Sequence, residues 1–123
     1  SNICSNQALN ALAASGAMTA LGKKGVKGMA VQNIQKAQYA KRSLEAAGLE
    51  VTFSGPFFNE FVVKLSTPIK EVNRKLLEKG LIGGYDLGTY YPELENHMLL
   101  AVTELRTKEE IDTLAREMGA HQQ

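Results

Sequence analysis

Residues 6–21, NQALNALAASGAMTAL, constrain this chain more than any other stretch. Ala, Leu and Met dominate, and no charged side chain appears before Lys23. That composition favours a helix, with apolar groups on nearly all its sides. A helix without a polar face is buried all round or docks on another body. Its small residues, Ala11, Ala13, Ala14, Ser15, Gly16 and Ala17, permit close backbone approach. Leu9, Leu12, Met18 and Leu21 are therefore the candidate contact residues of a docking helix.

Gly22-Lys-Lys-Gly25 breaks this helix. A second helix runs to about Ala47, with Val26, Met29, Ala30, Ile34, Ala37, Ala40 and Leu44 on one stripe and Gly48 at the left-handed C-terminal position. Lys23 to Ala47 holds six basic residues and one acidic. This is either a solvated helix face or a surface complementary to an acidic partner. Glu50 to Phe53 and Glu60 to Leu65 read as strands around the turn signal Ser54-Gly-Pro56. Thr67 is the expected N-cap of a helix with Pro68 in its first turn, and its stripe is Ile69, Val72, Leu76 and Leu77. Leu81-Ile82 begins a third strand, and His97 to Thr103 forms a fourth. Thr107-x-x-Glu110 is a capping box, opening a helix whose core face is Ile111, Leu114 and Met118. The order α-α-β-β-α-β-β-α predicts an α/β chain of the α+β type, helices packed on one face of a small mixed or antiparallel sheet.

A length of 123 residues suits a single domain, residues 1–123, with a core of its own. Apolar residues make up 44% and charged residues 22%, as in a globular protein. Fourteen basic against thirteen acidic residues give a net charge of +1, so neither nucleic acid nor a membrane is implied as partner. The single cysteine, Cys4, fits a reducing, cytoplasmic setting. The chain starts on Ser1 rather than Met, so Ser1-Asn2 is left by cloning or the chain is cut from a longer one.

Candidate chemistry is sparse. Cys4, His97 and His121 have no zinc-ligand spacing. Cys4 precedes a helix, a position that lowers a thiol pKa, but a buried inert thiol is the simpler reading. His97 opens a strand and reads as a hydrogen-bonding edge residue; His121 lies in the tail. Gly80, Gly83, Gly84 and Gly88 lack phosphate-loop spacing. They do mark a bendable segment with Tyr85, Asp86, Tyr90 and Tyr91. The candidate interface or entrance loop is Gly83, Gly84, Tyr85, Tyr90, Tyr91, Asn96 and His97. There the glycines allow backbone conformations closed to other residues, and the tyrosines present amphipathic rings. The alternative is a plain connection between strands.

Several stretches in order carry a resemblance: Ser1-Asn-Ile-Cys-Ser-Asn-Gln-Ala-Leu9, Asn33-Ile-Gln-Lys-Ala37, Phe53-Ser-Gly-Pro56, Asn59-Glu-Phe-Val-Val-Lys64, Gly83-Gly-Tyr-Asp-Leu-Gly88, Tyr91-Pro-Glu-Leu-Glu-Asn-His97 and Val102-Thr-Glu-Leu-Arg-Thr-Lys-Glu-Glu-Ile-Asp112. Together they resemble the glycine cleavage system P-protein family, in the C-terminal region of subunit 1 (alpha) of its two-subunit bacterial form. The resemblance implies a small C-terminal domain of a fold-type I pyridoxal-phosphate enzyme, following a large domain absent here. It implies glycine decarboxylation, an oxidoreductase activity of glycine catabolism, with transfer of the aminomethyl group to the lipoyl arm of the H-protein. The Schiff-base lysine would belong to the beta subunit. No catalytic, cofactor or metal residue of the family carries over: none of Lys23, Lys24, Lys27, Lys36, Lys41, Lys64, Lys70, Lys75, Lys79 or Lys108 matches that lysine. The implied partners are the beta subunit, the H-protein and the chain's own large domain. The opening SNICSNQ would be the joint between domains. The competing expectation, by analogy of fold alone, is an independent small-molecule-binding regulatory domain.

Overall fold

The computed structural model describes residues 7–120. Cys4, the SNICSNQ joint up to Asn6, and His121 lie outside them. The chain divides into two compact units, Ser1–Val31 and Gln32–Gln123.

Helix α1 spans Ala8–Ala46, with non-helical backbone at Gly22 (φ 66°, ψ 174°). The break falls on the expected glycine, where a side chain would strain the left-handed φ. In the first unit every residue from 7 to 21 is exposed.

The second unit holds the rest of α1, then β1 (Glu50–Val51), β2 (Glu60–Lys64), α2 (Ile69–Glu78), β3 (Tyr85–Asp86), β4 (His97–Ala101) and α3 (Lys108–Gly119). The strands form one antiparallel sheet in the order β1-β2-β4-β3. Phe61 lies opposite Leu100 and Val63 opposite Met98, so these four share a face. They join one core with Ala37, Ala40 and Leu44 of α1, Ile69, Val72 and Leu76 of α2, and Ile111, Ala115 and Met118 of α3. All three helices thus cover the same face of the sheet, as the sequence order predicts.

The stripes shift in detail. On α1 the buried set is Asn33, Ala37, Ala40 and Leu44, while Ile34 is 42% exposed. Asn33 replaces Ile34 because its amide donates to Glu104 Oε2 at 2.8 Å, and beside it the Lys36 ammonium donates to the Glu104 carbonyl. Leu77 is also exposed, and on α3 Ala115 is buried with Leu114 only packed at the core's edge.

Two helices end in the same way, one of them where the sequence predicts and the other past it. Gly48 (φ 94°) and Gly80 (φ 74°) adopt left-handed backbone. Leu49 N–H donates to Leu44 O at 3.0 Å, and Leu81 N–H to Leu76 O at 2.9 Å. Each is a Schellman closure with an apolar residue just past the glycine. Leu81 therefore belongs to the end of α2 and does not begin a strand, Ile82 is 91% exposed, and the third strand starts at Tyr85. At the other end of α2 the N-cap is Pro68, not Thr67, and it has no side-chain cap.

The capping box on α3 forms as expected: Thr107 Oγ1 accepts from Glu110 N–H at 3.2 Å, and Glu110 Oε2 accepts from Thr107 N–H at 2.8 Å. Thr107→Ala is expected to cost about 1 kcal/mol in chemical denaturation. Close by, Asp112 accepts from Lys108 at 2.6 Å and from the Tyr39 hydroxyl at 2.5 Å, which ties α3 to α1. The Lys108 ammonium and then Tyr39 hold the Asp112 carboxyl below its usual range. A lowered carboxylate contributes stability above its unfolded pKa and loses it as pH falls. Denaturation midpoints should therefore fall with acidification from about pH 5 downward, and Asp112→Asn should flatten that slope.

Candidate functional site

The segment from Gly83 to His97 carries β3 and leads into β4. Asp86 Oδ1 accepts from Gly88 N–H at 3.1 Å and opens a 3-10 turn, Leu87–Thr89; Pro92 starts a second, Pro92–Leu94. Asn96 takes a left-handed φ of 60° and turns the chain into β4. An Asn tolerates that backbone better than most residues.

Gly83, Gly84 and Gly88 do not serve the purpose expected of them. None has a positive φ among the described residues; those that do are Gly22, Gly48 and Gly80. Their reason is space. A Cβ on Gly84 would lie 2.3 Å from Leu99 O and 2.6 Å from Met98 Cγ, and one on Gly83 would lie 2.2 Å from Asn73 Oδ1. Asn73 also donates to Gly84 O at 2.8 Å. This segment is pressed onto the edge of β4 rather than left bendable.

The tyrosines are displayed. Tyr85, Tyr90 and Tyr91 are 51%, 71% and 52% exposed. The Tyr85 and Tyr90 rings stack with centroids 6.3 Å apart and planes 10° from parallel. Partial desolvation, and then the hydroxyl of Tyr90, push the Tyr85 phenol above its usual pKa. Tyr85 lies opposite Leu99, Leu99 opposite Val62, and Thr52 N–H bonds Val62 O at 3.0 Å. Tyr85 thus extends the row of Val62 and Leu99 on the sheet face opposite Phe61, Val63, Met98 and Leu100.

His97 is buried at 7% exposure, and its Nδ1–H donates to Glu95 O at 2.8 Å. It is the hydrogen-bonding strand residue of the simpler reading, apart from the tyrosines. Asn73, which seats Gly84, went unnoticed in the sequence; its spacing with Ile69, Val72 and Leu76 marks only a helix face.

Two concavities flank the segment. One, of about 240 Å³, is lined by Leu81, Leu100, Val102, Ile111 and Leu114, with Arg106 and Glu110 at its rim. The other is an open cleft of about 410 Å³ with Lys70, Asp86 and Glu95 among its lining residues. No group of three metal-ligating side chains occurs among the described residues. No helix among them is long and apolar enough to cross a membrane. The other candidate group, Leu9, Leu12, Met18 and Leu21, lies on the first unit, 79%, 70%, 51% and 48% exposed.

Known proteins are similar to this chain in sequence and fold. The family model described as "Glycine cleavage system P-protein" matches residues 1–118. The chain is 76% identical over 122 residues to the probable glycine dehydrogenase (decarboxylating) subunit 1 of Bacillus thuringiensis (strain Al Hakam), and equally to that of Bacillus cereus (strain B4264). These matches take in 99% of this chain and 27% of each relative. The crystal structure of a glycine decarboxylase (P-protein) of the glycine cleavage system, in inhibitor-bound form, superposes with a TM-score of 0.83 at 31% identity, over 98% of this chain and 27% of that one. The chain therefore spans about a quarter of the length of its relatives, and it belongs to the glycine cleavage system P-protein family.

Proposed function

We propose that this chain is the C-terminal domain of subunit 1 of a two-subunit glycine decarboxylase, and that it serves assembly and access rather than bond-breaking. The 76% identity to subunit 1 proteins over nearly the whole chain carries the reading. The parent removes CO2 from glycine and hands the aminomethyl group to a lipoyl-bearing H-protein, in the cytoplasm. One cysteine in 123 residues is in keeping with that reducing compartment. Leu9, Leu12, Met18 and Leu21 dock on the rest of the polypeptide. The ledge of Tyr85, Tyr90 and Tyr91 faces the beta subunit or the entrance to the active site.

Pyridoxal phosphate supplies the electron sink for such a decarboxylation, but the residues here do not fit it. The cleft containing Lys70 places Asp86 and Glu95 where a phosphate would need donors. Lys108 is held protonated by Asp112, the opposite of what a Schiff-base amine requires. The resemblance to the two-subunit form implies that the cofactor lysine belongs to the beta subunit, and the misfit of Lys70 and Lys108 supports that reading.

Borohydride reduction of the assembled enzyme tests this. The phosphopyridoxyl adduct is expected on the partner subunit, and the 123-residue chain by itself is expected neither to take up a stoichiometric adduct nor to exchange the glycine carboxyl with CO2. A site-specific adduct on any lysine of this chain would overturn the assignment.

A further inference from the structure

The charges of the first unit point to what its apolar helix meets. Of the chain's 14 basic and 13 acidic residues, Ser1–Val31 contains Lys23, Lys24 and Lys27 and no carboxylate. The remaining 92 residues hold eleven basic and thirteen acidic side chains, so a unit of charge +3 adjoins one of charge −2 in sequence. Lys23 and Lys24 precede Lys27 by four and three residues, which gathers the three ammonium groups on one side of the helix. All three are exposed. In the second unit the helix cations are met locally, as in Lys75–Glu71 at 3.0 Å, Arg74–Glu78 at 2.5 Å and Lys108–Asp112 at 2.6 Å. The lysines of the first unit have no acid within seventeen residues of sequence to answer them, Glu45 being the first in the chain. Like charges at this spacing weaken a helix. The cluster follows directly on fifteen exposed residues without a charge, and the matched relatives have nearly three quarters of their length outside the region shared with this chain.

We infer that the arm formed by residues 8–28 seats on the preceding part of its own polypeptide, on a surface that is apolar beneath Leu9, Leu12, Met18 and Leu21 and carries carboxylates opposite Lys23, Lys24 and Lys27. The inference rests on the C-terminal placement proposed above. The leucines supply most of the attraction; the lysines fix the position of the arm and make its docking sensitive to salt.

Hydrogen–deuterium exchange over residues 8–21 of full-length subunit 1, with and without its partner subunit and at low and high salt, reads this directly. At low salt, Lys23→Glu/Lys24→Glu/Lys27→Glu is expected to speed exchange about tenfold, three partly desolvated pairs being lost, and to abolish the salt response. Leu12→Glu is expected to speed exchange at both salt concentrations. If only Leu12→Glu acts, the lysines are merely solvated and the inference falls while the docking helix stands. If neither variant acts, the docking helix falls as well. A protection that appears only when the partner subunit is added would place the seat there and overturn the occupant named here.

Discussion

Gly84→Ala is expected to destabilise the chain by about 2–4 kcal/mol, combining overpacking with a weakened hydrogen bond. The added methyl would lie 2.3 Å from Leu99 O and 3.0 Å from Leu99 C, both backbone atoms of β4. β4 pairs with β2 over five residues, so its backbone cannot retreat without opening the middle of the sheet. Backing Gly84 away instead loosens the 2.8 Å bond from Asn73. Gly83→Ala should cost less, because its nearest neighbours, Asn73 Oδ1 and Leu76 Cδ1, are side-chain ends that rotate. Gly16→Ala, with nothing within 4 Å, should instead stabilise its helix by up to about 1 kcal/mol. Denaturant midpoints for the three variants give the ranking. A harmless Gly84→Ala would mean that this segment does not press on β4.

Tyr90→Ala/Tyr91→Ala in the complete two-subunit enzyme is expected to weaken subunit assembly, or to lower exchange of the glycine carboxyl with CO2, by tenfold or more. Aromatic side chains that become buried at an interface often cost more than 1 kcal/mol when truncated, and two adjacent ones exceed a factor of ten. The fold should survive, because both rings are more than half exposed in the chain itself. Removing Tyr90 also unstacks Tyr85, so the phenol of Tyr85 should titrate closer to its ordinary value. Assembly and exchange that are unchanged, in a folded protein, would leave the tyrosines as a cover for the sheet and nothing more.

The elements legible in the sequence are those with local causes. Gly22 and Gly48 end helical runs through backbone conformation alone, and the capping box of Thr107 and Glu110 needs only its own four residues. Burial on α1 was harder to read, because Asn33 turns inward for the sake of Glu104, 71 residues away. The third strand was misplaced because Leu81 looks like a strand residue and is the apolar plug of a Schellman closure. In the loop, the residues were legible but not their reason: glycines chosen for a tight approach and glycines chosen for a left-handed turn look the same in one sequence. The tyrosine ledge was visible as a cluster, but its continuation through Leu99 and Val62 depends on strand register, which the sequence does not print.

That register has a consequence for how the protein is made. The two inner strands, β2 and β4, are distant in sequence, Phe61 meeting Leu100 across 38 intervening residues. Until Ala101 has left the ribosome, β2 has only the two-residue β1 beside it, and its other edge offers Phe61, Val62 and Val63 to any strand that passes. A long closure of this kind forms slowly. Nascent chains stalled between α2 and β4 should therefore be the species that chaperones hold and that aggregate when they do not. Release should come with residues 97–119, which deliver β4 and then the helix that seals Ile111, Ala115 and Met118 over it.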